Sequence, residues 1–289
     1  MKFFENEDLK VIFELLENKA RLVGGCVRDY LLFNKIVEDI DIATEFLPEE
    51  FIKKLSIKFK VIETGIKHGT VTIVGKKHKY EITSLRSDEI TDGRHAKVRY
   101  GVSWEEDAKR RDFTMNALYM DISGKIYDYF NGQQDLKEKK VKFINDPKQR
   151  IHEDYLRILR FFRFCARFGV YEDESFQASV KLCDNLKKIS YERITQEWFS
   201  VIKGKFFFEI LNKFEPILNA VNLKLNDLSI ELKKLSYLGL TCAFYNKNSC
   251  LKLSNQQKKY IQNLNQAKCE TETDILFYMY EFGENFAKD

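Results

Sequence analysis

The spacing of apolar positions changes character along the chain. Residues 7–19 place apolar side chains at 9, 12, 13, 15 and 16, the spacing of an amphipathic helix, and Glu7 and Asp8 stand where a helix dipole favours acidic groups. Leu22 and Val23 run into Gly24-Gly25, after which 26–33 reads as a second helix. From 39 to 43 charged and apolar residues alternate, as in a half-buried strand. Strands are predicted over 71–74 and 80–83, on either side of the turn Gly75-Lys76-Lys77, and over 117–121 and 125–129, around Ser123-Gly124. Beyond His152 the pattern is helical throughout. Helices are predicted over 153–168 and near 173–187, 191–203, 206–221, 227–235, 255–266 and 272–282. Only three prolines, Pro48, Pro147 and Pro216, interrupt the chain. A mixed α/β part therefore gives way to an all-helical part, with a boundary near 140–150.

At 289 residues the chain holds one large domain or two to three small ones. A hydrophobic fraction of 44% beside 32% charged residues excludes a disordered chain. The net charge of +4 is too small to announce a nucleic-acid partner. The arrangement says more: Arg94, Lys97, Arg99, Lys109, Arg110, Arg111, Arg157, Arg160, Arg163 and Arg167 crowd one stretch, which suits phosphate. Six cysteines without CxxC spacing fit a reducing cytosol, and so a cytoplasmic protein. The start is acidic and aromatic, unlike a signal peptide, and no apolar run approaches the roughly 20 residues of a membrane span.

Four short stretches carry candidate chemistry. Gly24-Gly25-Cys26-Val27-Arg28 opens a helix, where backbone N–H groups and Arg28 can meet phosphate; the same glycines can simply make a tight turn. Asp39-Ile40-Asp41 puts two carboxylates on one strand face, which suits Mg²⁺ or an exposed strand edge; Glu81 on another predicted strand is a candidate third carboxylate. Arg110-Arg111-Asp112, with Asn116 close behind, suits a triphosphate or its sugar, Asp112 fixing one guanidinium; a surface salt-bridge network is the alternative. Finally, Glu153, Asp154, Arg157, Arg160 and Arg163 share one predicted helix. There an Asp acceptor beside an Arg donor matches the amino edges of cytosine and adenine, unless these groups merely pair along the helix.

Order and spacing together make these stretches similar to the class II tRNA nucleotidyltransferase/poly(A) polymerase family, most like a bacterial CCA-adding enzyme. The resemblance spans about residues 20–200. It takes in His68-Gly69-Thr70-Val71, Glu81-Ile82-Thr83-Ser84-Leu85-Arg86, 132–136 and Ser190-Tyr191-Glu192-Arg193-Ile194.

It implies an α+β protein with a polymerase-β-type nucleotidyltransferase head (1–143) containing a mixed sheet. An all-helical neck (144–205) for nucleotide selection and a shortened helical body (206–289) for RNA contact follow. It implies that Asp39 and Asp41 hold Mg²⁺; Glu81 stands beside them as a candidate third catalytic carboxylate. Gly24, Gly25, Arg28, Arg111, Asp112 and Asn116 would handle the triphosphate or its sugar. Glu153, Asp154 and Arg157 would read the incoming base, with Arg160 and Arg163 contacting phosphate or bracing them. The implied partners are tRNA, CTP and ATP, and the implied reaction is CCA addition with release of pyrophosphate. The stretch 87–96 resembles a flexible loop that members adding only CC tend to lack, which implies A addition. An A-adding enzyme or poly(A) polymerase is the alternative within the family, and a non-catalytic RNA-binding relic the alternative outside it.

Overall fold

The computed structural model describes residues 6–34, 39–89, 97–224, 241, 244–245 and 248–259. The chain divides into two compact units, 1–153 and 154–289. The division falls later than the hydrophobic pattern placed it, because the helix Pro147–Glu153 (α6) is tied back to the first unit. Its buried Arg150 donates to the carbonyl of Lys109 at 2.8 Å.

In the first unit, α1 (Glu7–Leu15) begins at Asn6, whose side chain accepts from the N–H of Leu9, and it buries Leu9, Ile12 and Phe13. It ends before residue 19 because Glu17 and Asn18 turn left-handed, with φ of 51° and 55°. A seven-stranded mixed sheet follows in the order β3-β4-β5-β2-β1-β8-β9. Its strands are β1 (Ala20–Val23), β2 (Asp39–Thr44), β3 (Lys60–Gly65), β4 (Thr70–Val74), β5 (Lys79–Ser84), β8 (Leu118–Met120) and β9 (Ile126–Asp128). Between β5 and β8 lie β6 (Arg86–Glu89) and β7 (Lys97–Tyr100), paired as a separate hairpin. The rest of the 87–96 loop, 90–96, lies outside the described residues. Among the described residues of this sheet β2 and β5 pair in parallel, and the other neighbours are antiparallel. Helices α2 (Gly25–Phe33), α3 (Pro48–Leu55), α4 (Trp104–Lys109) and α5 (Gly132–Lys137) connect the strands.

In the second unit, α7 (Arg157–Phe168), α8 (Asp173–Leu182), α9 (Tyr191–Val201), α10 (Phe207–Ile210) and α11 (Glu215–Ala220) are all helical, as the pattern indicates. Details differ from it. The segment 173–187 tightens into a 3₁₀ turn at Cys183–Lys188. The segment 206–221 breaks into α10, a 3₁₀ turn and α11, where Pro216 lacks the N–H that a continuous helix needs. The helices expected near 227–235 and 272–282 lie outside the described residues, as does most of the one at 255–266. The core is aromatic: Phe161, Phe162, Phe207, Phe214 and Phe244 are fully buried, and Phe162 stacks on Phe214 at 4.3 Å. Each such burial contributes about 1.5–3 kcal/mol. Gly169, at φ 80°, closes α7 in the left-handed conformation that suits glycine.

Candidate active site

The centre of the sheet puts β2 between β1 and β5. Ile40 and Ile42 are fully buried, so the side chains of Asp39 and Asp41 share the other face of β2. Parallel pairing sets Asp41 beside Glu81 on β5. Asp41 is pushed up to about 6 by burial and by the charges of Glu81 and Asp39, which Arg111 and Arg28 only partly offset. A carboxylate raised by neighbouring carboxylates is stabilised by a cation, so the donor set fits a hard divalent ion. No three His, Cys, Asp or Glu side chains among the described residues are gathered closely enough to hold one alone.

Gly24 turns the chain from β1 into α2 with φ 73°, a conformation that favours glycine. The space beside it is lined by functional groups. A Cβ on Gly24 would lie 3.5 Å from the Arg111 guanidinium, 3.7 Å from the Asn116 carbonyl and 3.9 Å from the Asp41 carboxylate. The glycine turn, Arg111 and the β2 carboxylates thus meet at one point.

Arg28 sits in the first turn of α2, only 6% exposed. Its Nε and Nη2 donate to the Asp29 carboxylate at 2.8 and 3.0 Å, and its Nη1 donates to Asn116 Oδ1 at 2.6 Å. Asn116 in turn donates to Asp112 at 3.1 Å, and the same Asp112 oxygen accepts from the N–H of Phe113 at 2.8 Å. Arg28, Asn116 and Asp112 therefore form one chain of bonds. The guanidinium fork expected to meet phosphate grips Asp29 here.

The carboxylate that fixes the paired arginines is one the sequence reading missed, Asp107 on α4. One of its oxygens accepts from Arg110 Nε at 3.0 Å and from the N–H of Arg86 at 3.2 Å. The other accepts from Arg111 Nη2 at 3.1 Å and from the Tyr119 hydroxyl at 2.7 Å. Arg111 Nε also donates to the Tyr119 oxygen at 3.2 Å. Burial opposes the charge on Asp107, yet Arg111 and Arg110 bring it down to about 2. Burial opposes the charge on Arg111 as well, and Tyr119 and Asp107 outweigh it. The missed signal was helical spacing: position 107 precedes 110 and 111 by three and four residues.

The expectation of one helix over 153–168 is corrected. Glu153 ends α6 and pairs with Arg150, while α7 begins at Arg157, so Glu153 is not in the helical row of 157 and 160. The cause is Asp154, whose carboxylate accepts from the N–H of Leu156 at 3.1 Å and so favours a turn over a continuing helix. In the second unit Arg193 on α9 donates to the other oxygen of Asp154 at 2.7 Å. Arg157, Arg160, Arg163 and Arg167 recur at half-buried positions along α7. Glu197 on α9, 7% exposed, pairs with Arg163 at 3.2 Å and with Arg160 at 3.8 Å. Arg193 and Glu197 were not singled out in the sequence, though Arg193 lies in the quoted 190–194 stretch.

The mixed sheet, its paired carboxylates and the glycine turn that begins α2 define a polymerase-β-type nucleotidyltransferase head. Known proteins narrow this. Residues 20–142 match the Poly A polymerase head domain. The human mitochondrial CCA tRNA nucleotidyltransferase 1 is 42% identical over 68% of this chain and 48% of its own length. The CCA-adding enzyme of Staphylococcus saprophyticus is 32% identical over 96% of this chain and 74% of its own. The crystal structure of the Bacillus stearothermophilus CCA-adding enzyme in complex with CTP superposes with a TM-score of 0.71 at 28% identity, covering 96% of this chain and 74% of that one. The chain belongs to the family of CCA tRNA nucleotidyltransferases, the CCA-adding enzymes. It spans about half the length of the human, mouse and zebrafish relatives it matches.

Proposed function

We propose that this protein adds CCA to the 3′ end of tRNA without a nucleic-acid template, using CTP and ATP and releasing pyrophosphate. The observation that carries this reading is the meeting of Asp41, Gly24 and Arg111 at one point of the head, with Asp39 and Glu81 beside Asp41. Asp39 and Asp41 would hold Mg²⁺, with Glu81 shaping the charge of the site. Once bound, that ion would activate the attacking 3′-hydroxyl and neutralise the pyrophosphate that leaves. Arg111 and the N–H groups after Gly24 and Gly25 orient the triphosphate. Arg28 and Asn116, bonded to each other and braced by Asp112, hold the start of α2 and the sugar side of the nucleotide.

In the second unit Asp154, fixed by Arg193, supplies an acceptor and Arg157 a donor for the amino edges of cytosine and adenine. Arg160 and Arg163 keep Glu197 as counter-charge and present cations to RNA phosphate. Among the described residues no helix is long and apolar enough to cross a membrane. Four buried cysteines outside any disulfide suit the reducing cytoplasm.

Extension of tRNAs ending at the discriminator base, at C and at CC, with Mg²⁺, CTP and ATP, tests the reading. Stepwise growth to CCA is expected. Use of ATP alone would point to an A-adding enzyme or poly(A) polymerase, and no extension by folded protein would leave an RNA-binding relic.

A further inference from the structure

The Arg111 guanidinium has two sides. Nε and Nη2 face inward and donate to Asp107 and Tyr119, while Nη1 is the atom nearest the space where a Gly24 side chain would stand, beside Asp41. Asp107 is 1% exposed at its side chain, and its two oxygens serve two arginines, a tyrosine hydroxyl and a backbone N–H. Tyr119 is fully buried, donates to Asp107 and accepts from Arg111. It is gripped by aromatic edges, with Trp104 at 5.5 Å and Tyr129 at 6.1 Å, both nearly perpendicular to it. A long arginine side chain ordinarily has several rotamers to choose from. Here a buried carboxylate and a buried hydroxyl hold the guanidinium in one orientation through two of its nitrogens.

We infer that Asp107 and Tyr119 are positioning residues for the transfer reaction, acting through Arg111 by aiming its Nη1 at the Gly24–Asp41 point where the nucleotide's phosphates would lie. The inference rests on the reading of Arg111 as a nucleotide-binding group. Neither residue touches substrate. A fixed cation needs no reorganisation when the triphosphate arrives, so loss of the clamp weakens nucleotide engagement before it harms the fold. Arg110 shares the same carboxylate, so Asp107 touches both members of the adjacent pair.

The test measures nucleotide KM and kcat for wild type, Asp107→Asn, Tyr119→Phe, Arg111→Ala and the double variant Asp107→Asn/Arg111→Ala, with melting curves for each. In the Arg111-containing background, Asp107→Asn is expected to raise the CTP KM about tenfold and Tyr119→Phe about threefold, because misaiming by an ångström is enough to cost this much. In the Arg111→Ala background Asp107→Asn is expected to leave the KM unchanged. A structural role alone would lower the melting temperature and the active fraction without moving KM. An unchanged KM in Asp107→Asn, or the same rise with and without Arg111, would overturn the inference. If Asp107→Asn does not fold, Tyr119→Phe with its own Arg111→Ala partner carries the same comparison. Absence of extension by the wild type would strike the function itself; a working wild type with an unmoved KM strikes only the clamp.

Discussion

The two units treat their arginines differently. In the first, Arg28, Arg110 and Arg111 are mostly enclosed, and each is committed to named oxygens: Asp29 and Asn116 for Arg28, Asp107 for the other two. In the second, Arg160 and Arg163 keep 33% and 26% of their side-chain surface in solvent and share one glutamate. Enclosed charges cost several kcal/mol to desolvate and are kept only where their geometry is complete. Charges that keep more solvent contact have a smaller desolvation cost to repay. On the proposed function, the contrast would suit a head that handles small rigid phosphates and a helical unit that meets a flexible chain.

The largest effect expected from breaking this contrast is at β2. Asp41→Asn should cut extension by about 10³-fold, since metal-assisted charge stabilisation is worth several kcal/mol. Without metal, Asp41→Asn should melt no lower than the wild type, because Asp41 is raised above the ordinary carboxylate range, so its charge opposes folding near neutral pH. Single-turnover extension and melting in chelator check both halves.

Next comes the enclosed carboxylate of the head. Asp107 is lowered to about 2, so its ionised form favours the folded state above the ordinary value near pH 4, and that contribution is lost as pH falls toward 2. Urea melts of wild type and Asp107→Asn should show a gap that narrows by about 2–3 kcal/mol as pH drops from 6 through this window. A constant gap would mean that the carboxylate's charge is not what holds the arginines.

In the second unit the effects should shrink. Glu197→Ala leaves Arg160 and Arg163 without their shared partner and should cost about 1–2 kcal/mol in denaturant melts, less than a fully enclosed pair because both arginines reach solvent. The smallest effect is at the pair of Arg193 and Asp154, 48% and 33% exposed. Arg193→Ala should lower stability by under about 1 kcal/mol, and that loss should fade in high salt. A salt-insensitive loss of several kcal/mol would place this pair with the enclosed ones.

Much of the first unit was readable because period two and period 3.6 are local properties. Asp39 and Asp41 on one strand face, the helix after Gly25 and the strands around Gly75 and Ser123 all came from spacing alone. What spacing hides is partnership. Glu105, Glu106 and Asp107 form an acidic first turn; spacing links both Glu106 and Asp107 to the arginines, and only the fold decides that Asp107 is the one buried among them. At 153–168 the Arg/Phe rhythm runs straight across the turn at 154–156. The turn-forming bond of Asp154 was legible in principle, since aspartate competes with helix, but it was outweighed by a long periodic run. The break at Pro216 was likewise visible as a residue and hidden as a consequence.

The parallel pairing of β2 with β5 has a consequence for how the protein is made. Strands joined by a tight turn, as β4 and β5 are, can find each other early. Asp41 and Glu81 are separated in sequence by α3, β3 and β4, so their pairing is non-local and its loop-closure cost must be met before it forms. A chain caught midway has no juxtaposed carboxylates to trap a stray cation. Registration of the two strands also decides chemistry at a stroke: a slip of one residue would send both β2 aspartates into the core and bring Ile40 and Ile42 out in their place.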